Sequence, residues 1–111
     1  MGPPYAILGT CQHPIQKEKA CIVVCGNPKN RSVYLDGSAA TQNMLLAIHS
    51  LGYSSCWVQA FEKDYNPALK ELINIPANLV LVALVPVGLA KQQVPTPKKR
   101  LLDDVIHWEQ Y

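Results

Sequence analysis

The sequence predicts a mixed α/β sheet packed on helices. Two continuous apolar runs, Ala20–Cys25 and Leu79–Val85, have strand character, and one stretch from Leu35 to Leu51 carries apolar residues at helical spacing. Together with two weaker elements between them, they give the order strand, long helix, strand, helix, strand, tail, which layers helices on a sheet.

The first 18 residues contain prolines and no periodicity, and are expected to form a loop or a frayed helix. Ala20–Cys25 is uniformly apolar and is ended by Gly26-Asn27-Pro28, as expected of a buried strand followed by a turn. From Leu35 the period changes. Leu35, Ala39, Ala40, Met44, Ala47, Ile48 and Leu51 recur at steps of three and four and define one broad helical face. Asp36 or Ser38 is expected to cap its start by accepting orphan backbone N–H bonds, and Gly52 to cap its end. The small residues Gly37, Ser38, Ala39 and Ala40 permit close approach by another helix or a ligand.

Ser55–Gln59 is a short strand candidate, and Pro67–Ile73 a second helix with proline at its permitted first turn. Leu79–Val85 is nearly all leucine or β-branched, which predicts a central strand buried on both faces and ended by Pro86-Val87-Gly88. Residues 89–100 read as a polar loop holding Lys98-Lys99-Arg100. Residues 101–111 form a short tail tipped by Trp108 and Tyr111, which needs a surface to dock on.

At 111 residues the chain is expected to form a single small domain, 1–111, with 1–18 as a lead-in and 101–111 as a docking tail. Its 49% hydrophobic and 16% charged content excludes a disordered chain. A net charge of +2 is too small to argue by itself for nucleic-acid or membrane partners, and neither is expected; the longest apolar run is far too short to span a bilayer. The start shows no export signal, so the expected compartment is the cytoplasm and the four cysteines are expected to be free thiols. Cys11, His13, Cys21 and Cys25 lack the C-x2-C knuckle of zinc sites, so no metal is expected.

Several stretches, taken in order, resemble the FMN-dependent nitroreductase family, particularly its shorter members. They are Cys21–Gly26, Asp36–Ala47 with its Ala-Ala-Thr-Gln-Asn run, Ser50–Val58 with its Leu-Gly-x-x-x-x-Trp, Ile75-Pro76, Leu84–Gly88, Pro97–Arg100 and Val105–Glu109. The resemblance covers roughly residues 14–111. It implies an α+β fold with a mixed, mostly antiparallel sheet and a long central interface helix. It further implies a homodimer with FMN at the subunit interface. NADH or NADPH reduces the flavin, and a nitroaromatic, quinone or similar small-molecule acceptor reoxidises it.

The resemblance also nominates cofactor-binding positions, each beside a plainer reading. Gly52, Tyr53 and Ser54 match the turn that brings backbone close to the flavin ring; on residues alone Gly52 is a helix cap. Pro86 and Gly88 match the family's proline–glycine element, or simply end a strand. Lys98 and Arg100 match the residues that hold the FMN phosphate, where an arginine fork suits phosphate oxygens; otherwise they are a solvated basic loop. His13, His49 and His107 form no pattern with an acid or nucleophile, and no catalytic side chain is assigned, because a flavin carries its own chemistry. The family's N-terminal Arg-x-Ser-x-Arg segment and Pro-Ser-x-x-Asn element do not occur in this sequence. That departure predicts a C-terminal core without the family's N-terminal flavin segment. It keeps a second function open: a non-catalytic dimerisation or interaction domain without flavin.

Overall fold

Strand β4, Val80–Ala90, is the axis of the molecule. The computed structural model describes residues 15–90 and 95–111. Leu81 to Val85 are at most 1% exposed, as their unbroken apolar run demands of a strand covered on both faces. Antiparallel β1, Ile15–Gly26, lies along one side of β4 and bulges between Glu18 and Ala20 and between Val24 and Cys25. The short strands β2, Ser54–Ser55, and β3, Val58–Gln59, pair antiparallel with the other side. The sheet is therefore antiparallel throughout, in the order β1-β4-β2 with β3 also on β4. An α+β architecture is thus observed.

Two expectations about the strands change. β1 starts at Ile15, five residues before the apolar run, so residues 15–18 belong to the sheet while 1–14 lie outside the described residues. β4 does not stop at Pro86 but runs through it to Ala90, taking in Leu89 and Ala90 from the expected loop; residues 91–94 lie outside the described residues. Proline inside a central strand normally forfeits a ladder bond. The register explains why it is tolerated. Ser54 faces Gly88, Ser55 faces Val87, Val58 faces Leu84 and Gln59 faces Ala83, so β2 and β3 share one alignment interrupted only at Cys56-Trp57. The Val82 carbonyl accepts from the backbone N–H groups of Ala60 (3.1 Å) and Phe61 (3.2 Å), so even-numbered residues of β4 turn their peptide groups to this side. Pro86 is one of them and has no N–H to give Cys56. The expected strand over residues 55–59 is therefore split in two, opposite the proline.

Helix α1, Val33–Ser50, lies on the sheet, with Val33, Thr41 and Ile48 buried and Gly37, Met44 and Leu45 half-buried. That face differs from the expected one. Leu35 is 73% exposed, Leu51 74%, and Ala39, Ala40 and Ala47 are exposed as well. Packing has selected the stripe with the smallest residue because the helix must come close to β4. A Cβ at Gly37 would lie 2.8 Å from Val82 Cγ1. Thr41, fully buried, donates its hydroxyl to the Gly37 carbonyl (2.7 Å), so the polar group on this face is satisfied. The start of α1 is also not capped as expected. Ser32 is the N-cap without a side-chain bond, and the Asp36 carboxylate instead accepts from Asn30 Nδ2 (2.7 Å), tying the preceding loop to the first turn.

Helix α2, Asn66–Leu72, begins with Asn66 and Pro67 and buries Leu69 against Val58, Ala60, Leu81 and Leu84. Asn66 Nδ2 donates to the carbonyls of Ala60 (2.6 Å) and Leu81 (3.2 Å), and Tyr65 Oη to that of Gln59, so the helix start pins the end of β3. After a 3-10 turn at Leu102–Asp104 the tail lies open: Trp108 is 82% exposed, and of residues 101–111 only Ile106 is half-buried. Trp57, by contrast, packs against the core under α1.

Cys21 and Cys25 are free thiols, but Cys56 is disulfide-bonded, against the expectation of four free thiols. Cys11 and His13 lie outside the described residues.

Candidate functional site

The end of α1 is built by its sequence. Gly52 has φ +87°, a conformation that costs a residue with a side chain and not glycine. Its N–H donates to the His49 carbonyl (3.0 Å) and the Tyr53 N–H to that of Ile48 (3.1 Å). These two bonds are the Schellman pattern, so Gly52 is a helix cap. The turn delivers the chain directly into β2. Ser54 there pairs with Gly88 of β4, and Gly88 is flanked on its other side by Glu18 of β1. Thus Gly52, Tyr53, Ser54 and Gly88, separated by more than thirty positions in sequence, meet at one corner of the sheet.

Among the described residues the corner is open on one side. A Cβ built on Gly52 would find no atom within 4 Å, Tyr53 is 45% exposed, and Ser54 is half-buried. Gly88 is buried. Pro86, two residues back along β4, is buried and faces Cys21 across β1, on the route from this corner into the core.

Lys98 and Arg100 are not brought into that corner by any described contact. They lie in an irregular, exposed segment, residues 95–100, and among the described residues neither makes a hydrogen bond or ion pair. The residues that sequence reasoning missed are Ser55, opposite Val87, and Glu18, opposite Gly88. No local pattern announces such long-range partners.

Chemically the corner offers peptide groups and, among the described side chains, no assembled acid, base or nucleophile. Burial pushes the Cys21 thiol above its ordinary value of 9.0, with a smaller opposing effect from the Val85 backbone. Burial likewise raises Cys25, against the nearby Lys70 ammonium. Both thiols are therefore kept protonated, the opposite of an activated nucleophile. Burial also raises the Tyr65 phenol. Among the described residues no cluster of His, Cys, Asp and Glu could hold a metal ion, and no helix is long and apolar enough to cross a membrane.

The nitroreductase family profile matches residues 13–89, which includes all of the sheet but the last residue of β4, both helices and the glycine corner. The chain belongs to the nitroreductase family. A relative from Archaeoglobus fulgidus, named as an NADH dehydrogenase/NAD(P)H nitroreductase, is 40% identical over 80 residues, which are 67% of this chain and 46% of that protein. A crystal structure from Bacteroides thetaiotaomicron, named likewise, superposes with a TM-score of 0.74 at 31% identity, covering 85% of this chain and 56% of that one. A Bacteroides fragilis nitroreductase solved with bound FMN shares the fold at 23% identity, with a TM-score of 0.64 over 84% of this chain and 52% of its own. This nitroreductase-family chain thus spans about half the length of the relatives it matches.

Proposed function

We propose that this chain is the FMN-holding part of an NAD(P)H oxidoreductase of nitroreductase type, working as a cytoplasmic homodimer on a nitroaromatic, quinone or similar small acceptor. The observation that carries the reading is the meeting of the Gly52–Ser54 turn with Gly88 at an open corner, within a chain of this family. The residues fit the cofactor in two respects. Gly52 leaves its outer side clear, as close approach of a planar ring requires, and Lys98 and Arg100 have donors uncommitted within the described structure for a phosphate.

In this reading Gly52, Tyr53 and Ser54 position the ring through backbone groups, Pro86 and Gly88 fix the strand behind them, and Arg100 with Lys98 neutralises the phosphate. When bound, FMN supplies two-electron transfer from NADH or NADPH to the acceptor. The protein contributes orientation and exclusion of water. The homodimer is supported by α1. Its outward side carries Leu35, Ala39 and Leu46, and between Val33 and Ser50 the only acidic or basic residues are Asp36 and His49. A helix face so poor in charge is suited to burial against another subunit.

The test is the visible spectrum of the purified chain after addition of excess FMN and desalting. Retained bands near about 370 and 450 nm, as in any oxidised flavin whose electronics the protein only tunes, are expected, and Arg100→Ala is expected to weaken retention. Losing one charge-assisted phosphate contact of about 1.5–3 kcal/mol corresponds to roughly 10- to 150-fold in Kd. A folded chain that retains no flavin overturns the enzyme reading for this chain and leaves a fragment or an interaction domain.

A further inference from the structure

We draw no further inference here: the strongest candidate, the outward apolar face of α1 carrying Leu35, Ala39 and Leu46, belongs to the subunit contact already proposed, and among the described residues nothing shows what else covers it.

Discussion

Replacing Gly37 with alanine adds one methyl group between α1 and the central strand. The new Cβ would stand 2.8 Å from Val82 Cγ1, 3.0 Å from Cγ2 and 3.1 Å from Cβ. Rotating the valine by a third of a turn puts its Cβ hydrogen in one of the two close positions but leaves a methyl in at least one of them and the Cβ in place, so no rotamer opens the gap. Val82 is fully buried, so either the helix or the strand must shift. Overpacking of this kind costs about 1–3 kcal/mol. Alanine returns about 1 kcal/mol through its better helix propensity. Because Val82 has no way to yield, the net expectation is a loss of about 1–2 kcal/mol, read as a lower urea midpoint at unchanged slope. Ala40→Gly, on the exposed side of the same helix, calibrates the propensity contribution. Val82→Ala removes both offending methyls, so the double variant should lose at least about 1 kcal/mol less than the sum of the single losses, since these residues are in contact. If Gly37→Ala instead stabilises the protein by about 1 kcal/mol and the cycle is additive, the close-approach argument is wrong.

Three further outcomes are expected. Gly52→Ala should cost about 1–2 kcal/mol through φ alone, because its Cβ has no neighbour to strike, with Gly52→Asn intermediate; equal losses for both would refute a backbone cause. The thiols of Cys21 and Cys25 titrate above the ordinary 9.0, so the fold favours their protonated forms. Their stabilisation is present in full below about pH 9 and lost as the pH rises through the folded values, and alkylation at pH 8 should be slower than for an exposed peptide cysteine. Leu46→Glu, at a position 60% exposed, should leave the stability of the single chain within about 0.5 kcal/mol and convert a dimer to a monomer in sedimentation; a wild-type chain that is already monomeric at micromolar concentration refutes the subunit contact.

The elements legible in the sequence are those whose signal is local and continuous. Leu81–Val85 could be recognised as a buried strand because every residue in it is apolar, and Gly52 as a cap because it follows the last turn of a helix. Helix α1 was legible as a helix but not in its orientation. A hydrophobicity pattern weights Leu35 and Leu51, whereas the side that meets the sheet is chosen by proximity, which favours Gly37 and Thr41. Pro86 misled for a related reason. Its effect on β4 depends on which neighbouring strand its absent N–H would have faced, and that follows only from the register. At the candidate site, each residue had a local reading, but the meeting of Ser54 with Gly88 is a property of strand pairing. Lys98 and Arg100 show the limit of the same logic: a basic cluster in an irregular segment has no partner written beside it.

The split between β2 and β3 also bears on how the protein behaves at high concentration. These strands form the rim of the sheet opposite β1, where unsatisfied peptide groups recruit foreign strands. An incoming chain would find only two consecutive extended residues in either piece, so the proline on the inner strand leaves the outer rim a short template for strand addition.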